Sequence, residues 1–275
     1  MVLTLGNIRV LVLFLPATCL LGAQSDLQLD EVLFLYGLES QVSQIPAQIE
    51  EQMKSYDDGQ DLEALRILKD VLPRAYGKDY LMASVRETFY REAEDRDLGP
   101  ALKWLRSPVG TRIAELEAEA ARPEALEEMM EFFQEYQSMD PDSPRVRLLS
   151  DLDEAAGVTE SGVRLALEMA RSTARGVNHL APWGQQAFSE AGLEDRISQL
   201  EPQIRPALRE STQLLLYVKF RTLKDEEIRQ YLEFARSPDG QWLQEAVVNS
   251  LVQALRDAGD RTGRLIDERI QASGF

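Results

Sequence analysis

The sequence predicts an all-α protein of many helices, built as two related helical lobes. Three observations carry that prediction. Apolar residues recur three and four apart along most of the 275-residue chain. No segment alternates polar and apolar over four or more residues in a way that competes with them. The pattern Arg-Ser-Pro-x-Gly occurs twice, at Arg106, Ser107, Pro108 and Gly110 and again at Arg236, Ser237, Pro238 and Gly240. Its flanks match too: Leu98 with Ile228, Leu102 with Leu232, Trp104 with Phe234, Ile113 with Leu243, Glu115 with Glu245. A recurrence at one offset sets the domain plan before any single helix does.

Taken in order, residues 1–23 read as an export signal. Arg9 is the only charge before Asp26, and an apolar core around Val10–Leu15 leads to small Ala23, after which cleavage is expected. The core is short for a membrane span. Lipidation at Cys19, the only cysteine, is the rival reading, set against a poor preceding Pro16-Ala17-Thr18. The expected location is the periplasm or the exterior.

The first lobe is placed at 24–138. Leu29, Val32, Leu33, Tyr36, Val42, Ile45, Ile49 and Met53 give helical spacing over 26–55, with Pro46 expected to kink or break it near Gln44. Asp57-Asp58-Gly59 reads as a turn. A short helix over Leu62–Leu72 is expected to end at Pro73, and another runs over Lys78–Ala93 with Leu81, Val85, Thr88 and Phe89 inward. Asp95 or Asp97 can cap the next, whose Leu98, Ala101, Leu102 and Leu105 share one face. A helix from Pro108 follows, interrupted at Pro123, and then one over Glu124–Tyr136.

Met139–Pro144, with two prolines and two aspartates, is the expected boundary. The second lobe, 145–275, starts with a helix to Ala156 that Gly157 closes. Thr159 is expected to open the next, and Ala181-Pro182-Trp183-Gly184 to form a turn. An amphipathic helix from Leu193 bends at Pro202 and Pro206 on its way to Leu214–Phe220. The second corner follows, with Thr222 and Asp225 as a capping box, and then a long helix through Leu243, Val247, Leu251 and Leu255 toward Ile270.

Each Arg-Ser-Pro-x-Gly has a mechanical reading. The residue before proline avoids the α region, so the first helix stops there. Serine caps the next helix, proline opens it without wasting a donor, and arginine meets the negative end of the helix before it. Glycine leaves room for two helices to approach. The alternative reading is that Arg106 and Arg236 line an anion or peptide site.

Composition excludes much. A net charge of −17 opposes nucleic acid and anionic membranes as partners. One histidine, His179, and one cysteine leave no zinc set, triad or Cys–His pair. There is no phosphate loop or dinucleotide fingerprint, and Tyr56–Asp61 has acids without the calcium pattern. No metal, cofactor or catalytic residue is expected. Glu127 and Glu131 have the chemistry of a glycosidase pair but also suit a solvated helix face.

The segment TLKDEEIRQYLEFARSPDGQWLQEAV (222–247) resembles the shared block of a bacterial envelope family known as domain of unknown function 2059. That block has an acidic helix start, an aromatic before Arg/Gln-Ser-Pro-x-Gly and an apolar helix after it. Asp225, Glu226, Glu227, Phe234, Ser237, Pro238 and Gly240 match it. The first segment departs at Gly99, Pro100 and Leu105. The resemblance implies an exported helical protein, present here as two divergent copies, and implies no activity. The expected function is therefore non-catalytic: binding of an envelope protein or of an apolar ligand between helices. The alternative is a carboxylate-dependent hydrolase with a site between the lobes.

Overall fold

The computed structural model describes residues 18–55, 63–120, 125–183 and 189–272, and every regular element among them is helical. The order is α1 (Thr18–Leu35), α2 (Leu38–Ser55), α3 (Glu63–Ala75), α4 (Lys78–Glu92), α5 (Gly99–Leu105), α6 (Pro108–Ala120) and α7 (Ala125–Ser138). After it come α8 (Pro144–Ala156), α9 (Val158–Val177), a 3-10 helix (Asn178–Trp183), α10 (Glu190–Lys219), α11 (Asp225–Arg236) and α12 (Pro238–Ala272). Among the described residues no helix is long and apolar enough to cross a membrane. Residues 1–17 of the expected signal, the 57–59 turn and Pro123 lie outside the described residues.

Several boundaries differ from the sequence expectation. The 26–55 run breaks at Gly37, not at Pro46, which sits inside α2. Gly37 takes φ 74°, a left-handed turn that glycine adopts without strain. Gly157 does the same, at φ 61°, between α8 and α9. Pro73 lies within α3 instead of ending it, while α10 continues through Pro202 and Pro206 as expected. Thr159 is not a cap. Its amide and hydroxyl both donate to buried Asp153, at 2.8 and 2.7 Å, from inside the first turn of α9. The cap of α11 is Lys224 rather than Thr222: the Lys224 amide donates to the Glu227 carboxylate at 2.7 Å. Residues 178–183 form a 3-10 helix instead of a turn.

The core does not divide at residues 139–144. The largest buried cluster joins α1 to α5 with the apolar face of α12, from Leu243 to Ile266. A second joins α8, α11 and the end of α10 to Ile113 and Leu116 of α6. Each of these clusters is thus closed by a helix from the other half of the chain. Phe89 and Phe220, both without solvent exposure, anchor one cluster each. Burying a side chain of that size contributes about 1.5–3 kcal/mol. A third cluster pairs α9 with the first half of α10 through Val163, Leu167, Leu193 and Ile197.

α12 is held to α9 by a close crossing of small residues. A Cβ on Gly259 would stand 2.6 Å from the Ser172 carbonyl oxygen, and one on Gly176 would stand 2.7 Å from Thr262. Beside the crossing, Glu168 is 2% exposed and accepts from Arg171, Ser172 and Arg256, so its buried charge is paired and hydrogen-bonded.

Candidate functional site

The two Arg-Ser-Pro-x-Gly segments lie where α5 turns into α6 and α11 into α12. Ser107 accepts from the Gly110 amide at 3.0 Å, and Ser237 accepts from the Gly240 amide at 3.0 Å. Pro108 and Pro238 are the first residues of their helices. The glycines sit where the chain crosses itself. A Cβ on Gly110 would be 3.1 Å from the Trp104 carbonyl carbon and nearer its oxygen; one on Gly240 would be 2.8 Å from the Phe234 carbonyl carbon and nearer its oxygen. Arg106 forms a two-pronged pair with Glu31, at 2.8 and 2.5 Å, and Arg236 reaches Asp151 at 3.9 Å. Both arginines are more than half exposed, and neither lines a described cavity.

The corners meet. Trp104 stacks on Phe234 with ring centroids 4.7 Å apart and on Tyr231 at 5.8 Å. A small pocket at this junction is lined by matched residues of both segments: Gly110 and Gly240, Ile113 and Leu243, Trp104 and Phe234. It shares Tyr36, Glu117, Tyr231 and Gln244 with a larger cleft of about 330 Å³. That cleft lies among α2, α6, α8, α9, α10, α11 and α12, with Leu152, Leu165, Leu216, Val248 and Leu251 among its apolar walls. Its volume lies at the lower end of the ~300–1,000 Å³ usual for ligand sites.

A few polar groups converge on it. Tyr36, set at the end of α1 by the Gly37 turn, donates to Gln244 at 2.6 Å, and Gln244 donates to Ser161 at 3.1 Å. Lys219 approaches Glu117 at 3.5 Å, and its ammonium lies 5.0 Å from the Phe220 ring centre. These two are the only charged residues lining the cleft among the described residues. Burial first, and then the Glu117 charge, pushes the Tyr36 and Tyr231 phenols well above their ordinary range, so both remain protonated donors.

Two other carboxylates, Asp153 and Glu168, are buried, and neither lines the cleft. His179 is half-exposed, with Nδ1 3.0 Å from Asp267. Among the described residues no cluster of three or more metal-ligating side chains occurs. Glu127 lies where no side chain is described; Glu131 is exposed.

Sequence reasoning did not single out Glu117, Lys219, Tyr231, Gln244 or Ser161 as a set, because they come from five different helices. Tyr36 read as one more apolar-face residue; the Gly37 next to it was the available signal. No family model, no curated protein and no solved structure matches this chain.

Proposed function

We propose that this protein is a non-catalytic binding protein of the cell envelope, holding an apolar ligand in the cleft between the two halves of the chain. The observation that carries the reading is the 330 Å³ cleft itself, apolar-walled and furnished with a few polar groups. The hydrolase alternative needs two facing carboxylates, and Glu117 is the one carboxylate lining the cleft among the described residues. Export through the 1–23 segment and membership in the domain of unknown function 2059 family belong to the same proposal.

The proposal includes descent from two fused copies. Four observations support it. Arg106–Glu31 and Arg236–Asp151 are matching ion pairs. Gly37 and Gly157 are matching left-handed turns six residues beyond those acids. Trp104 and Phe234, which occupy the same place in the two segments, stack on each other. The closing helix of each copy completes the core of the other. On this account the lobes interlock, and the cleft lies on their shared axis.

The test is extraction of the protein purified from envelope, with mass spectrometry of what the organic phase carries. Gly162 lines the cleft, and a Cβ there would meet nothing within 4 Å. Gly162→Trp should fill the space, keep the fold by circular dichroism and lose the co-purifying ligand. Equal recovery from parent and variant, or recovery of nothing from either, would overturn the reading.

A further inference from the structure

The cleft carries information about the head of its ligand as well as its apolar part. Glu117 and Lys219 sit against one another at 3.5 Å, with side chains only 29% and 11% exposed. Each already has its counter-charge. A carboxylate or phosphate entering beside them meets Lys219 and Glu117 together, so attraction and repulsion largely cancel. It would still lose its hydration, a cost that only a well-placed unpaired partner offsets. An ammonium head faces the same cancellation with the signs reversed.

The remaining polar groups are uncharged. Tyr231 lines both the pocket and the cleft, and the Tyr36–Gln244–Ser161 chain presents hydroxyls and an amide beside it. Gln41 and Gln44 add further amide groups. Hydroxyls and amides both donate and accept, so they complement a head that does the same. The cleft also has room for one short chain and not for a two-chain lipid.

Building on the binding reading above, we infer that the cleft selects a single-chain amphiphile with an uncharged, hydroxyl- or amide-bearing head, and that the Glu117–Lys219 pair is the specificity element that rejects a charged one.

The experiment uses the purified full chain and an uncharged fluorescent probe, N-phenyl-1-naphthylamine, displaced by monodecanoin or by decanoate at neutral pH. Monodecanoin should displace it at a concentration lower by about tenfold or more. Glu117→Gln leaves Lys219 without its partner and should bring decanoate level with monodecanoin or ahead of it. Lys219→Gln should weaken decanoate further and raise its concentration ratio to monodecanoin above that of the parent. Thermal melts of both variants establish that each is folded. Equal displacement by the two amphiphiles in the parent, or an unchanged ratio in folded Glu117→Gln, would overturn the head-group inference while probe binding kept the cleft reading. If the probe does not bind the parent, the cleft reading falls, and this inference falls with it.

Discussion

Gly240→Ala adds a single methyl group, yet the structure gives it a large effect. The new Cβ would stand 2.8 Å from the Phe234 carbonyl carbon, 3.2 Å from the Ala235 Cα, and closer still to the Phe234 oxygen. All three are backbone atoms at the end of α11, so no side-chain rotation relieves the overlap. Ordinary contact begins near 3.4 Å, so α12 must shift by roughly half an ångström or more against a close-packed neighbour. Overpacking of this kind costs about 1–3 kcal/mol. Alanine's better helix propensity returns up to about 1 kcal/mol, but the obstruction is rigid and the shift also disturbs the Ser237 cap and the Trp104–Phe234 stack. The expected net loss is about 2 kcal/mol. At about 2–4 °C per kcal/mol for a chain of this size, Tm should fall by about 4–8 °C. Gly162→Ala is the matched control: it sits inside a helix with open space before it, and should gain about 0.5–1 kcal/mol. Differential scanning calorimetry on the two variants tests the sign as well as the size. If Gly240→Ala melts with the parent or above it, the close-approach account of the corner is wrong.

Other outcomes follow from the same packing. Gly259→Leu should disrupt the α9–α12 crossing more than either alanine variant, by about 3 kcal/mol or more, read as an earlier denaturant midpoint; an unchanged midpoint would mean that the helices are free to separate. Arg145 donates to Asp225 at 2.5 Å and to the Phe220 carbonyl at 2.6 Å with its side chain 20% exposed, so Arg145→Ala should cost roughly 1.5–3 kcal/mol by chemical denaturation. Arg236→Ala, at an exposed and long pair, should change stability by less than about 1 kcal/mol. Hydrogen bonds from Arg106, Lys78 and Arg171 hold the Glu31, Glu39 and Glu194 carboxyls below the ordinary 4.5. A carboxyl depressed in the folded state contributes its full stability above 4.5 and loses it as pH falls through the folded value. Acid titration followed by circular dichroism should therefore show stability declining below pH 4.5, and a triple Gln variant at these positions should flatten that decline.

Much of the fold was legible because its signals are local. Leu81, Val85, Thr88 and Phe89 are buried on α4 as their spacing required. Gly157 closes α8, and α12 runs unbroken past Ile270. The misses were also local, and they were contests between breakers. Pro73 was read as a stop and Pro46 as a kink or break, but each is accommodated within a helix, whereas Pro202 and Pro206 lie inside one continuous α10, as read. Gly37, overlooked, makes the break because only its backbone takes the left-handed turn cheaply. Thr159 resembled a cap, but Asp153, six residues earlier and buried, claims both its amide and its hydroxyl.

The cleft was not legible, since no stretch of sequence contains it. By itself the sequence determined that this chain is helical and that Ser-Pro-x-Gly turns one helix into the next at two places; those outcomes depend on residues within a turn or two of each other. Tertiary structure alone decided that the corners stack through Trp104 and Phe234, that each half closes the other's core, and that Tyr36, Glu117, Lys219, Tyr231 and Gln244 face one space. Tyr36 and Gln244 are 208 positions apart and 2.6 Å from contact atom to contact atom. Periodicity says which face of a helix is buried. Which helix covers that face depends on the fit of α12 against α4 and α9, through glycines and small side chains whose value appears only when the two surfaces meet.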